Sequence, residues 1–281
     1  MFALASLALT MVVACGDDPP ANAPSSSFSH AASVRYRTLV FGDVDVTRNV
    51  VYQSTPALAL DVYQPSGDRA TKRPVLIWMH GGGFADGNKS EGPFIGFPTA
   101  FAKLGYVAVS IDYRLLAPKQ CIEPLLDSQV CRDAAAAATD DAQTAIRFLR
   151  ANANLYGIDP ERIAIAGESA GAIAATSVGL HADDETDSVR AWVSLAGGVD
   201  NGEGVDAKDA PGLLIANTGD PWVPFEWSSE TAAAMQAAGV PVVLRPLQGV
   251  EHVPVSEFGQ VMLDESRDFL YEHLDLESAQ Q

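Results

Sequence analysis

The spacing of apolar and polar residues divides the chain into a β-like start and a longer stretch in which strands and helices alternate. From Val34 to Tyr63 the runs Arg35–Phe41 and Ala59–Tyr63, broken by Gly42-Asp43 and Thr55-Pro56, predict antiparallel edge strands. Beyond them, short and almost wholly apolar runs recur at Val75–Met79, Val107–Ile111, Ile163–Ala166, Ala191–Leu195, Leu213–Ala216 and Val240–Leu244. Such runs are expected of strands buried on both faces. Between them lie predicted helices near Pro93–Leu104, Ala134–Leu155, Ala170–Leu180, Ser229–Ala238 and Val255–Leu274. In the last of these, Phe258, Val261, Met262, Phe269 and Leu270 share one face, while Glu257, Asp264, Glu265, Arg267 and Asp268 point elsewhere. The alternation predicts an α/β fold, a mainly parallel, doubly wound sheet with antiparallel N-terminal strands, whose functional loops lie at the carboxyl ends of the parallel strands.

The first 33 residues belong to a different class. Met1 to Cys15 is apolar or small throughout, yet shorter than the ~20 residues that span a bilayer as a helix, so it reads as a signal peptide. Val12-Val13-Ala14-Cys15 resembles the lipobox of bacterial lipoproteins, which implies a lipid anchor on Cys15 and a periplasmic or cell-surface protein. No Lys or Arg precedes Arg35, so the usual basic leader is missing, and an ordinary cleaved signal of a secreted protein or a plain apolar start remain alternatives. Gly16 to Ser33 is rich in Pro, Ser, Ala and Asp and has almost nothing to bury, the composition of a flexible tether. The predicted organisation is therefore 1–15 signal peptide, 16–33 tether and 34–281 a single domain. Cys121 and Cys131, ten residues apart, would pair in an oxidising compartment; two free thiols are the alternative if the protein stays in the cytosol.

Charge narrows the function. With 36 acidic against 18 basic side chains the formal charge is -18, which would repel a phosphate backbone, so no nucleic-acid partner is expected. No CxxC pattern or histidine cluster points to a metal, and no cofactor is expected. Membrane contact is expected only through Cys15.

The candidate chemistry centres on Gly167-Glu168-Ser169-Ala170-Gly171, which follows one predicted strand and opens a predicted helix. That is the setting of a nucleophile elbow, a sharp turn that exposes a serine hydroxyl. His80-Gly81-Gly82-Gly83 directly follows the strand Val75–Met79. Glycine amides, with no Cβ in the way, can point at a developing oxyanion, so Gly82 and Gly83 with the amide of Ala170 are the expected oxyanion hole. A serine hydroxyl needs a base. Of the five histidines, His30 lies in the tether, His80 in the glycine loop, His181 after the elbow helix, and His273 at the end of the last helix, where a helix-dipole role is expected. His252, in a loop between the last strand and the last helix, is the candidate base. Asp220, after the strand Leu213–Ala216, is the candidate acid that orients it; Asp200, after the preceding strand, is the rival. Trp222, Phe225 and Trp227 are candidates to line the site.

These motifs carry a resemblance. His80-Gly-Gly-Gly-Phe84, Asp112-Tyr-Arg-Leu115, Asp141 with Ala145-Ile-Arg-Phe-Leu-Arg150, Tyr156-Gly-Ile-Asp-Pro-Glu-Arg-Ile163 and Gly167-Glu-Ser-Ala-Gly171 together look like the signature of bacterial carboxylesterases and hormone-sensitive-lipase-like α/β-hydrolases, from about Leu60 to Leu274. The resemblance implies ester hydrolysis through an acyl-enzyme, with a small-molecule or oligosaccharide ester as substrate. Two departures stand out. The region before the first motif reads as β rather than as a helical cap, which is closer to cap-poor members such as hemicellulose acetyl and feruloyl esterases, and Thr218-Gly219 stands where His-Gly usually precedes the acid. A serine peptidase of the same fold and a non-catalytic binding module on the same scaffold remain the alternatives.

Overall fold

The computed structural model describes residues 35–92, 94–116, 121, 128–180, 185–202 and 204–280. The segments expected as signal peptide and tether, with Cys15, His30 and His181, lie outside the described residues. Among the described residues eight strands and six α-helices follow in chain order: β1 (Val44–Ser54), β2 (Ala57–Pro65), β3 (Arg73–Met79), α1 (Gly96–Leu104), β4 (Val107–Ile111), α2 (Gln129–Ala151), α3 (Ala153–Tyr156), β5 (Ile158–Glu168), α4 (Ala170–Leu180), β6 (Ala191–Leu195), β7 (Gly212–Asn217), α5 (Phe225–Ala238), β8 (Val242–Leu247) and α6 (Val255–His273).

The strands form one sheet in the order β1-β2-β4-β3-β5-β6-β7-β8. β1 pairs antiparallel with β2 and β2 with β4, and every later pairing is parallel. All seven residues of β3 are buried, because helices cover both faces of the sheet. Its side chains alternate between two cores: Val75, Ile77 and Met79 pack with residues of α2 and α4, while Leu76 and Trp78 pack with residues of α1 and α6. α4 is almost entirely buried, and that explains why its sequence is apolar on every face.

Several expectations need correction. Arg35–Phe41 is not a strand: the amides of Tyr36, Val40 and Phe41 donate to the carbonyls of Leu104 and Lys103 and close the end of α1. Of its apolar side chains Tyr36 is buried there, while Leu39 and Val40 stay exposed. Tyr36, at φ 70°, meets Tyr106 edge-on, and the Arg35 guanidinium lies over the Tyr36 and Phe41 rings. The first strand is instead Val44–Ser54, whose polar residues are tolerated because β1 is an exposed edge. The last strand runs from Val242 to Leu247 and includes Pro246, which an edge strand accommodates. α1 begins at Gly96 rather than Pro93, with Pro98 in the first turn, where its missing N–H breaks no helical bond.

Candidate active site

β5 ends at Glu168, and the chain turns at once into α4 with Ser169 held at φ 52°. A non-glycine residue in the left-handed region costs on the order of 1 to 3 kcal/mol, and here the surrounding backbone leaves no alternative. Ser169 N–H donates to Leu195 O at 2.9 Å. A Cβ on Gly167 would lie 2.4 Å from the Gly171 carbonyl, and one on Gly171 would lie 2.4 Å from Met79 O. The two glycines therefore let the turn fold on itself and press against the end of β3.

That pressure brings the elbow beside the loop that leaves β3. In this loop Gly82 (φ 114°) and Gly83 (φ 61°) make a tight turn whose carbonyl, Gly82 O, accepts from Ala85 N and Asp86 N. A Cβ on Gly82 would fall 2.0 Å from Asp86 O. The Gly82 and Gly83 amides meet no acceptor among the described residues. His80 is buried, stacked on the Tyr113 ring at 4.3 Å, with Nδ1 2.7 Å from Gly81 O; burial lowers its pKa, which favours the uncharged ring.

Asp220 and His252 come from the loops after β7 and β8. Thr218 N donates to Leu247 O, Gly219 N to Gly249 O, and the Asn217 amide to Glu251 O at 2.6 Å, which ties the two loops together. Asp220 Oδ1 accepts from Trp222 N (2.9 Å) and Val223 N (3.1 Å), which aims Oδ2 at His252 Nδ1, 2.6 Å away. The Asp220 side chain is fully buried. His252 Nε2 lies 2.7 Å from Ser169 Oγ. A carboxylate accepts only, so Nδ1 carries the ring proton and Nε2 is left to accept from the serine.

The structure thus brings Ser169, His252 and Asp220 into one chain of hydrogen bonds beside the Gly82-Gly83 turn and the buried Ala170. Asp200 sits apart, in a short 3-10 turn after β6. His273 has its ring against Phe269 at 4.3 Å, and burial lowers its pKa; this favours the uncharged ring and runs against the expected helix-dipole role. Of the three aromatic candidates only Trp222 lines the cleft, stacked on His252 at 5.5 Å. Phe225 opens α5, and Trp227 is buried in the core.

One group in the cleft went unread in the sequence. Glu168, the variable residue of the serine pentapeptide, is only 5% exposed and lines the same cavity of about 580 Å³. Its Oε1 accepts from Gly81 N at 3.3 Å. Burial pushes its carboxyl up to about 7, against the weaker downward pull of the Gly81 amide and of His252. Cys121 and Cys131 form a disulfide. Among the described residues no three His, Cys, Asp or Glu side chains converge as a metal site.

Solved structures share this fold. A native thermophilic esterase, Est2 of Thermogutta terrifontis, matches at a TM-score of 0.67 with 25% identity, over 85% of this chain and 95% of that one. The propionate-bound structure of the same esterase matches at 0.68 with 24% identity, over 82% of this chain and 94% of that one. The chain has the α/β-hydrolase fold. Residues 60–197 match the family model described as BD-FAE, a stretch that holds the glycine loop and the elbow but neither Asp220 nor His252. Esterase LipC of Mycobacterium tuberculosis is 32% identical over 137 residues, 49% of this chain and 30% of that protein. Isoprenylcysteine alpha-carbonyl methylesterase ICME of Arabidopsis thaliana is 30% identical over 168 residues, 56% of this chain and 35% of that protein. The chain thus spans about a third of the length of these curated relatives.

Proposed function

We propose that the protein is a serine carboxylic ester hydrolase that prefers short acyl groups and works through an acyl-enzyme. The observation that carries this is the hydrogen-bonded chain Ser169 Oγ, His252 Nε2, His252 Nδ1 and Asp220 Oδ2, with steps of 2.7 and 2.6 Å, mounted on a strained elbow. His252 takes the Ser169 proton as Oγ attacks the ester carbonyl, and Asp220 stabilises the imidazolium. The Gly82, Gly83 and Ala170 amides hold the oxyanion, and each such donor is typically worth about 100- to 1,000-fold in rate. His252 then returns the proton to the leaving alcohol. Water, activated by the same histidine, releases the acid.

The names of the relatives support ester over amide chemistry, and structures of the Thermogutta esterase with propionate and with butyrate bound support a short acyl group. Initial rates on p-nitrophenyl acetate, butyrate and decanoate, measured for the protein and for Ser169→Ala, test the reading. Preference for the short chains with loss of turnover in the variant is the expected result. Equal rates from both proteins would end the serine assignment, and equal rates on all three esters would end the short-acyl assignment.

A further inference from the structure

The oxyanion loop is gripped at both ends by consecutive residues of the segment after β4. At its entry, Tyr113 OH donates to His80 O at 2.6 Å. At its exit, Lys89 N donates to Asp112 Oδ1 at 2.9 Å, and Lys89 Nζ lies 3.1 Å from Asp112 Oδ2 and 3.9 Å from Asp61 Oδ1. Ser110 Oγ donates to Lys89 O at 2.8 Å, and the neighbouring Ser90 Oγ donates to Asp61 Oδ2 at 3.1 Å. Asp61, on β2, is fully buried and is also held by Arg48 Nη1 and Asn49 N. Lys89 itself is 8% exposed.

Burying a lysine between two carboxylates is a poor way to gain stability, because desolvation offsets most of the Coulomb attraction and a well-packed apolar residue does as well. What the ion pair supplies that an apolar residue does not is direction. The backbone N–H, the carbonyl and the ammonium of one residue are each fixed to β4 or the residue after it, so the loop has a single setting along the sheet. Six and seven residues upstream of this anchor, the same loop carries the Gly83 and Gly82 amides.

We propose that Lys89 is a positioning residue for the reaction: through Asp112 and Asp61 it fixes the loop so that the Gly82 and Gly83 amides meet the oxyanion rather than the ground-state carbonyl. This rests on the oxyanion reading of the previous section. A displacement of about 1 Å at such a site can cost about 100-fold in rate, so anchoring at a distance is enough to matter.

The test uses the full chain with Lys89→Met, which keeps the length and removes the charge, and Lys89→Arg, which keeps the charge. Serine sites are counted by paraoxon phosphorylation taken to completion, and kcat and KM for p-nitrophenyl acetate are expressed per counted site. The expected result for Lys89→Met is a kcat lower by about 100-fold with KM within about threefold. Affinity for phenylboronic acid, a tetrahedral mimic on the serine, should fall in step with kcat/KM, and Lys89→Arg should restore about tenfold of the loss. A kcat per site within about threefold of wild type would overturn the proposal while leaving the esterase reading intact. If Lys89→Met does not fold, Ser110→Ala, which removes only the bond to Lys89 O, must lower kcat at constant KM, and an unchanged kcat overturns the proposal in that background. A wild-type protein inert to both ester and boronate overturns the oxyanion reading and this one with it.

Discussion

Replacing Asp220 by Asn tests the catalytic reading most sharply, because the geometry dictates which way the new amide must face. Oδ1 of Asp220 accepts two backbone N–H groups, from Trp222 and Val223, in a side chain with no exposure to solvent. An asparagine keeps those bonds only by placing its oxygen there, which turns its NH2 toward His252 Nδ1, 2.6 Å away in the wild type. Two donors cannot face each other, so Nδ1 must become the acceptor and the ring proton must move to Nε2. Nε2–H then points at Ser169 Oγ and has no lone pair to take the hydroxyl proton. Loss of the correct tautomer costs about ten-thousandfold in kcat, equivalent to about 5.5 kcal/mol at ~1.36 kcal/mol per tenfold. Because both backbone bonds survive, the melting temperature should stay within a few degrees of wild type. Initial rates on p-nitrophenyl acetate for matched, folded samples supply the assay. An Asp220→Asn protein that retains more than about a tenth of wild-type kcat would refute the assignment of the acid and the tautomer argument with it.

Two further outcomes are expected. Because burial raises the Glu168 carboxyl from 4.5 to about 7, the folded state holds a proton between those values that the unfolded chain has lost. Stability contributed at this group therefore falls as pH rises from about 4.5 to 7 and stays low above. Glu168→Gln, which keeps an acceptor for Gly81 N–H, should match wild type near pH 4.5 and exceed it by on the order of 3 kcal/mol near pH 8 in urea unfolding; a gap that does not widen with pH would be the contrary result. Reduction of the Cys121–Cys131 bridge, which spans a sequence separation of 10, should remove about 2 to 3 kcal/mol on the chain-entropy model. An unchanged melting curve, with thiol titration showing the bridge open, would contradict it.

The parts of this molecule that the sequence displays are those governed by local rules. β3, β5, β6 and α4 declare themselves because apolar runs of those lengths have few other uses, and the elbow declares itself because Gly167 and Gly171 sit where a Cβ would strike backbone. The N-terminal region misleads for the same reason. Arg35–Phe41 has the composition of a strand but no partner to pair with, so its backbone amides and the buried Tyr36 close the end of α1, while the more polar Val44–Ser54 pairs with β2. Propensity says what a segment can be, and the available partner decides what it becomes.

Juxtaposition across the sheet is what no local rule supplies, and it separates the two kinds of charged residue at this site. Asp220 and His252 can be picked out because chemistry demands an acid and a base in a fixed chain order. Nothing in the sequence marks Asp61, which lies in an ordinary alternating strand, or Lys89, which lies in a polar loop. Their meaning exists only once β2 and β4 are adjacent and Asp61 is found at zero exposure with Arg48, Ser90 and Lys89 around it. Glu168 occupies the variable position of its pentapeptide, where any residue satisfies the motif, yet the fold places it against Gly81 N–H with His252 close enough to pull on its titration. A buried charge is costly wherever it occurs, so a fold that keeps one at the back of a reactive loop is constrained by that loop's geometry more than by stability. The loop from His80 to Lys89 is where that reasoning bears hardest, since Tyr113 and Asp112 hold its two ends and the Gly82 and Gly83 amides lie between them.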